Sequence, residues 1–262
     1  MLNTGEPIQR VVIKVGTNVM TNKDNRIVGT ILKQLVDQIA ILYERGIMSV
    51  LVSSGSVIAG KEVLSTGVDI EEETIRRQVY SAIGQPRMMR HYYNIFQDYG
   101  MRCAQVLATK RDFDPGKHRE NMINCYEGLL SEGVIPIANE DDAVSLSMST
   151  FTDNDELASL VAELIGADML ILLTDTNGLY NGHPDDEHTR LFKHVTVDQK
   201  VEHFIQESEK GEAEGRGGME SKLCVAKQAA KKNIPTIIAN GKLENVIVDI
   251  VDGKEVGTRF TL

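Results

Sequence analysis

Two lysines in this chain stand in settings that suit the binding of an anion. Lys14 precedes Gly16 at the end of an apolar segment, and Lys222 follows two adjacent glycines, Gly217 and Gly218. Glycines let backbone amides approach a phosphate closely, and a lysine supplies the positive charge. Alone, the second segment is more typical of a flexible linker that leads into a surface helix. Together, the two segments favour a site that binds phosphate groups.

Polar residues also follow several apolar runs. These turns are at 14–18, 53–55, 139–142 and 174–175, and a further polar segment, 152–155, opens a segment of helical period. Each has a purely structural interpretation, because Ser, Asp and Asn cap helices and form turns. Four polar strand ends in one sheet favour a binding site instead. One helix cap needs one such residue, so the surplus in 152–155 is available for substrate groups.

The elements that would position these turns alternate along the chain. Apolar runs of strand length cover 8–15, 47–53, 104–108, 134–138, 169–174 and 235–239, and helical segments include 28–45, 56–64, 71–99, 156–165 and 219–232. The alternation predicts a mainly parallel sheet with helices on both faces, in which ligands bind beyond the carboxyl ends of the strands. We also expect Pro86 to break the segment 71–99, and 144–150 to form a half-exposed strand or the arm of a hairpin.

Residues 55–61 match the G-x-x-x-x-G-K spacing of a phosphate-binding P-loop. Glu62 follows, however, where a P-loop needs Ser or Thr as a ligand of Mg²⁺. The intervening residues favour a helix, which would place Lys61 a full turn or more from its start. We therefore interpret the segment as a helix that imitates the motif by chance.

The composition excludes several classes of protein. The chain of 262 residues has 28 basic and 38 acidic side chains, a formal charge of −10, 5% aromatic residues and no Trp. Such a chain is unsuited to sequence-independent binding of nucleic acid. Its apolar runs are far shorter than the about 20 residues of a membrane span, and its first residues do not resemble a secretory signal. Three widely spaced cysteines fit a reducing compartment, so we expect a cytoplasmic protein without nucleic-acid or membrane partners.

Seven short motifs, in their order along the chain, resemble those of the amino acid kinase family. They are KVGT at 14–17, VSSG at 52–55, GQ at 84–85, NEDDAV at 139–144, DNDELA at 153–158, LLTDTNGLY at 172–180 and GGMESK at 217–222. Each is weak alone, but seven in order are a strong signal. The resemblance implies one α/β domain over 1–262, a three-layer αβα sandwich with a mainly parallel central sheet. ATP and an acceptor would lie over its carboxyl edge.

The resemblance also implies roles for individual residues. Lys14 and Lys222 match the family's phosphate-stabilising lysines, and Asp155 matches the carboxylate that organises them. The positions that match acceptor contacts are Ser54, Asp142 and Asn154. Those that match nucleotide contacts are Lys14, Gly16, Thr174, Asp175, Gly217, Gly218, Met219 and Lys222. No metal ligand is assigned to the chain, because Mg²⁺ would be carried by the phosphates of the ATP co-substrate.

The implied reaction is ATP-dependent phosphorylation of the γ-carboxylate of L-glutamate to L-glutamyl 5-phosphate, the first step of proline biosynthesis. That carboxylate has a reference pKa of about 4.3 and needs no general base at neutral pH. Positioned cations would offset the repulsion between the two anions. The alternatives are a family member acting on acetylglutamate, carbamate, aspartate or a nucleoside monophosphate, and a catalytically silent amino-acid sensor. The acidic segments 139–142 and 153–155 favour an acceptor that bears an ammonium group.

The same resemblance sets expectations for assembly and regulation. We expect a homo-oligomer, functional coupling to glutamyl phosphate reductase, and a form without the C-terminal RNA-binding-like domain of many bacterial relatives.

Three residues depart from the family pattern. Asp141 adds a negative charge beside the acceptor positions, Thr152 stands where glycine is common, and Arg216 stands where threonine is usual.

Overall fold

The computed structural model describes residues 7–64, 67–144, 151–183, 188–205 and 218–262. Its strands form one eight-stranded sheet in the order β3-β4-β2-β1-β5-β7-β8-β6. The pair β7 and β8 is antiparallel and the pair β6 and β8 is parallel, so β6 and β8 run against all the others. The strands are β1 (Arg10–Val15), β2 (Met48–Ser53), β3 (Arg102–Ala108), β4 (Val134–Glu140), β5 (Met169–Thr174), β6 (His194–Thr196), β7 (Thr236–Asn240) and β8 (Thr258–Thr261).

Helices cover both faces of this sheet. Helices α5, α6 and α7 pack on one face, and α2, α4 and α8 pack on the other. The predicted three-layer αβα sandwich with a mainly parallel sheet is therefore confirmed. The helices are α1 (Thr17–Met20), α2 (Gly29–Glu44), α3 (Ser56–Val63), α4 (Glu73–Asp98), α5 (Lys117–Ser131), α6 (Asn154–Leu164), α7 (Met219–Lys231) and α8 (Val246–Val251), with 3₁₀ turns at Lys110–Phe113 and Glu202–Phe204.

The alternation of side chains along β1 decides which layer its lysine meets. Val11 and Ile13 pack against α2, α4 and α8, whereas Val12 packs against α6 and α7. Because successive side chains of a strand point to opposite faces, Lys14 shares the face of Val12. Strand β1 also lies between β2 and β5, so the lysine is held in the middle of the sheet.

The strand predictions agree with the structure from β3 at one edge of the sheet to β7, and miss β8 and β6 at the other edge. The predicted strand at 169–174 coincides with β5, and the other five predicted strands overlap β1, β2, β3, β4 and β7. Strands β6 and β8 have only three and four residues and alternate between buried and less buried positions. Segments this short carry too little apolar pattern to be recognised in the sequence.

The predicted break at Pro86 is wrong, because α4 continues through Pro86 as one helix of 26 residues. A proline inside a helix removes the hydrogen bond to the carbonyl four residues earlier, here that of Ala82. Both Ala82 and Pro86 are exposed. Water can therefore satisfy the released carbonyl, which keeps the cost of the proline small enough for the packing of α4 to outweigh it.

One other expectation lies largely outside the described residues. The predicted strand at 144–150 falls there except for Val144. Within the described part of the chain, no helix combines the length and apolar character that crossing a membrane requires.

Candidate active site

A cavity of about 730 Å³ lies at the carboxyl edge of the parallel strands. Its walls come from the turns after β1, β2, β4 and β5 and from the starts of α6 and α7. The fold thus brings together predicted site residues that are up to 208 positions apart in sequence (Lys14 and Lys222). Gly217 lies outside the described residues. The predicted residues that line the cavity are Lys14, Gly16, Ser54, Asp142, Asn154, Thr174, Asp175, Gly218, Met219 and Lys222.

A buried group of three charges lies at the base of this cavity. The Nζ atom of Lys14 lies 2.7 Å from Oδ1 of Asp155, and Nζ of Lys222 lies 3.0 Å from Oδ2 of the same carboxylate. Asp155 has no exposed surface, and the two lysines are 5% and 6% exposed. Two ammonium groups that share one carboxylate leave an excess of one positive charge. This arrangement suits an anion that enters from the cavity.

The pKa values of the group show how the charges support one another. Burial raises the pKa of Asp155, but the ammonium groups of Lys14 and Lys222 together outweigh burial and hold it below the ordinary 3.8. Burial is also the largest influence on Lys14 and lowers its pKa below the ordinary 10.5, while Asp155 opposes and Lys222 assists that lowering. The carboxylate is therefore firmly ionised, and Lys14 depends on it to keep its proton.

Asp153 joins the beginnings of the two helices that carry these groups. As the N-cap of α6, it accepts hydrogen bonds from the backbone N–H of Asp155 (2.8 Å) and of Glu156 (3.0 Å). Its other carboxylate oxygen accepts from the hydroxyl of Ser221 in the first turn of α7. Both helices thus direct their N-termini, which favour negative charge, towards the same cavity. In the sequence, Asp153 was indicated as a cap and as part of the acidic segment 153–155, but its hydrogen bond to Ser221 of α7 was not predicted.

A chain of partly or fully buried hydrogen bonds connects the predicted acceptor residues. The side-chain amide of Asn154 donates to Ser54 Oγ and to Asn139 Oδ1, both at 2.8 Å. Asn139 donates in turn to Ser56 Oγ at 3.4 Å, and Ser56 Oγ lies 3.1 Å from Ser81 Oγ. The predicted residues Ser54 and Asn154 therefore belong to one network that reaches from β2 to α4.

This network ends at Asp142, which is 8% exposed. Ser81 Oγ donates to Asp142 Oδ2 at 2.8 Å, and Arg77 donates from Nε and Nη2 to Asp142 Oδ1 at 3.1 and 3.0 Å. Arg77, like Asp142, lines the cavity. Sequence reasoning missed Arg77 and Ser81, although two polar residues four apart lie on one face of a helix. That spacing was the available signal.

The segment that imitates a P-loop is helical from Ser56 to Val63, as predicted, and Lys61 lies in its last turn. Lys61 nevertheless lines the cavity, on the wall that also contains Arg76 and Arg77.

Of the three departures from the family pattern, Asp141 accepts from the N–H of Ala143 at 3.3 Å and is absent from the cavity lining. Arg216 lies outside the described residues.

The fold and the buried pair of lysines are typical of α/β proteins that bind phosphate groups, and comparison with known proteins specifies the family. The model of the amino acid kinase family matches residues 9–240. The chain belongs to this family, so the resemblance seen in its motifs is confirmed.

The similar proteins include curated relatives and solved structures. Glutamate 5-kinase of Bacteroides thetaiotaomicron is 38% identical over 253 residues, which cover 96% of this chain and 69% of the relative. Glutamate 5-kinase of Chlorobaculum tepidum is 38% identical over 258 residues, with the same two coverages. The isopentenyl phosphate kinase structure from T. acidophilum has a TM-score of 0.68 at 14% identity and covers 96% of this chain and 100% of its own. UMP kinase from Bacillus anthracis has a TM-score of 0.65 at 15% identity, with 98% and 97% covered. At these identities the structures show the fold alone.

Proposed function

We propose that this chain is an ATP-dependent kinase that transfers a phosphoryl group to the γ-carboxylate of L-glutamate and so makes L-glutamyl 5-phosphate. The observation that carries the proposal is the buried group of Lys14, Asp155 and Lys222 at the base of a cavity of about 730 Å³. The relatives named Glutamate 5-kinase, which cover 96% of the chain, support the choice of acceptor.

The chemistry requires charge stabilisation more than proton transfer. An oxygen of the ionised γ-carboxylate attacks the γ-phosphorus of ATP, and the bond from that phosphorus to the bridging oxygen breaks, which releases ADP. No proton has to be removed from the nucleophile, because the carboxylate is already ionised at neutral pH. The barrier comes from bringing two anions together, and Lys14 and Lys222 lower it by binding the transferring group. Mg²⁺ would arrive on the nucleotide phosphates and neutralise part of their charge.

The two ends of the acceptor would meet different parts of the cavity. The backbone N–H of Ser54 donates to the carbonyl of Val15, the residue after Lys14, and Asn154 directly precedes Asp155. Both residues are thus attached to the lysine group, so we assign them to the reacting carboxylate. Asp142 lies at the far end of the hydrogen-bonded network and is assigned to the substrate ammonium group. The nucleotide would be held by Gly16, Thr174, Asp175, Gly217, Gly218 and Met219 together with the two lysines.

Wider aspects of the function belong to the same proposal. The product would serve as the first intermediate of proline biosynthesis in the cytoplasm. Because an acyl phosphate hydrolyses readily, coupling to glutamyl phosphate reductase would protect it. We also propose that the chain acts as a homo-oligomer.

The test is the release of ADP from ATP and Mg²⁺ with each candidate acceptor. Glutamate, N-acetylglutamate, aspartate, carbamate, UMP and no acceptor are compared, and hydroxylamine traps any acyl phosphate as a hydroxamate. We expect ADP and hydroxamate in equal amounts with glutamate, and at least about tenfold lower kcat/KM with the other acceptors. Faster turnover of another acceptor would assign the chain to a different kinase activity. Binding of glutamate and ATP without ADP release would indicate a sensor.

A further inference from the structure

The carboxylate of Asp142 is already engaged by α4 without any substrate. Arg77 donates twice to Oδ1, at 3.1 and 3.0 Å, and Ser81 donates once to Oδ2, at 2.8 Å. A carboxylate offers about four acceptor positions, so one remains for a further donor. Since Asp142 lines the cavity, this position is available to the ammonium group of an acceptor.

Charge balance at this site requires more than the ammonium group. Arg77 already neutralises Asp142, so the addition of an ammonium group creates an excess positive charge beside a carboxylate that is 8% exposed. An uncompensated charge in a poorly solvated site is costly. An amino acid brings its own compensation, because its α-carboxylate is attached to the same carbon as the ammonium group.

Arg77 has the capacity to bind that carboxylate. Its Nε and Nη2 atoms contact Asp142, while Nη1 has no hydrogen-bond partner among the described residues. Its side chain is 35% exposed and lines the cavity. A guanidinium group is planar and presents its N–H groups in a fixed fork, so the contact with Asp142 also fixes the direction of the remaining donors.

We propose that Arg77 determines specificity for the α-amino-acid head group, an inference that rests on the proposed function. Asp142 binds the α-ammonium group and Arg77 binds the α-carboxylate, so that two opposite pairs of charges meet. An acceptor that lacks one of these two charged groups leaves Arg77 or Asp142 without its substrate partner. Arg76 and Lys61 line the same wall and raise its positive potential, but neither contacts Asp142.

Substrate analogues that lack one charged group test this assignment. 4-Aminobutyrate is glutamate without the α-carboxylate, and glutarate is glutamate without the ammonium group. Their dissociation constants and that of glutamate are measured by calorimetry, with a non-hydrolysable ATP analogue and Mg²⁺ present, for the wild type, Arg77→Gln and Asp142→Asn. Glutamine keeps a donor for Asp142 and asparagine keeps an acceptor for Arg77, so both substitutions limit the disturbance of the fold.

Each variant should lose affinity only for ligands that carry the charged group which the substituted residue binds. Arg77→Gln should weaken glutamate and glutarate about 10- to 100-fold and leave 4-aminobutyrate within about threefold. Asp142→Asn should weaken glutamate and 4-aminobutyrate and leave glutarate nearly unchanged. Arg77→Lys, which retains the charge without the fork, should recover part of the loss. Arg90→Gln, on an exposed part of α4, is the control and should change no affinity.

Two results would overturn the inference. One is an Arg77→Gln variant that loses affinity equally for glutamate and 4-aminobutyrate, since Arg77 would then merely position Asp142. The other is a wild type that binds 4-aminobutyrate as tightly as glutamate. Binding is measured here and turnover in the acceptor assay. A wild type that discriminates among these ligands but releases no ADP would therefore refute the proposed function and leave this assignment intact.

Discussion

A Cβ atom on Gly84 would lie 1.7 Å from the carbonyl oxygen of Ser56, so α4 and α3 touch through their backbones at this point. Gly60 repeats the contact from the other helix, because its Cβ would lie 1.9 Å from the carbonyl oxygen of Tyr80. Helices approach this closely only where side chains are absent. The contact places Ser81 beside Ser56 and thereby carries Arg77 to Asp142. The glycines thus set the geometry of the acceptor wall.

Gly84→Ala should therefore damage acceptor binding more than nucleotide binding. A methyl group cannot fit against the backbone of Ser56, so α4 must move, at a cost of about 1–3 kcal/mol or more. We expect a higher KM for glutamate, a nearly unchanged KM for ATP and a lower Tm. Gly128→Ala in the exposed part of α5, where a Cβ meets nothing within 4 Å, is the matched control. It should be neutral, or stabilising by up to about 1 kcal/mol. Equal KM changes for both substrates in Gly84→Ala would contradict the account.

Lys14→Ala and Lys222→Ala should each lower kcat more than they raise either KM. Both ammonium groups act on charge that develops during transfer, so their loss affects the transition state more than the bound substrates. The expected loss is about 10²–10³-fold, or about 2.7–4 kcal/mol, for one preorganised donor. Steady-state kinetics measure it. Lys231→Ala, an exposed position on the helix of Lys222, should retain full activity.

The double variant Lys14→Ala with Lys222→Ala should cost less than the product of the two single losses. The lysines share Asp155, and each is assigned to the same transferring group, so removing one already weakens the effect of the other. A double-mutant cycle in kcat/KM measures the coupling. Strictly multiplicative losses would mean that the two lysines act on separate groups.

Asp155→Asn should destabilise the fold by about 3–5 kcal/mol, since it leaves two buried ammonium groups without their carboxylate. The pKa of Asp155 is lowered in the folded chain, so its contribution to stability is present above the ordinary value of 3.8 and is lost as the pH falls through the lower folded value. Urea unfolding should show a difference from the wild type at pH 7 that narrows below pH 3.8. Glu120→Gln, in an exposed pair with Lys117, should change stability by about 0–1 kcal/mol.

Anions should restore part of the stability that Asp155→Asn loses. ATP or inorganic phosphate would replace the missing carboxylate between the lysines, so either should raise Tm more in the variant than in the wild type. Thermal unfolding at increasing phosphate concentration provides the comparison. Equal shifts in both proteins would mean that the anion binds away from the lysines.

The site residues that could be predicted from the sequence are those that lie within a short, recognisable motif. Lys14 with Gly16, and Asp155 two residues after the capping Asp153, can each be recognised within a short motif. Arg77 and Ser81 could not be assigned in this way, because their role depends on where α4 crosses α3. That crossing follows from the backbone contact of Gly84 and Ser56, which no local pattern encodes.

The errors in the predicted fold have a similar origin. A proline breaks a helix in isolation, but tertiary contacts hold α4 on both sides of Pro86. Met88, Tyr92 and Phe96 are buried against the sheet after it, and Gly84 packs against the backbone of Ser56 before it. Strand β6 forms through pairing with β8, and β8 through pairing with both β6 and β7, and not through their own composition. Sequence patterns report local preference, and in these places tertiary contacts decide the outcome.

ATP affinity should decline at alkaline pH with a midpoint below 10.5. Burial lowers the pKa of Lys14 from that value, so the free protein loses this positive charge earlier than an exposed lysine would. Loss of the proton at Lys14 removes attraction for the phosphates, and affinity falls as the pH rises through the lowered pKa. Titration of the free protein with ATP between pH 7 and about 10.5 measures the midpoint. Lys14→Arg provides the discriminating variant, because an arginine keeps its charge throughout this pH range. Its affinity for ATP at neutral pH can differ from that of the wild type, but the alkaline decline should disappear. A decline that persists with the same midpoint in Lys14→Arg would assign the titration to another group.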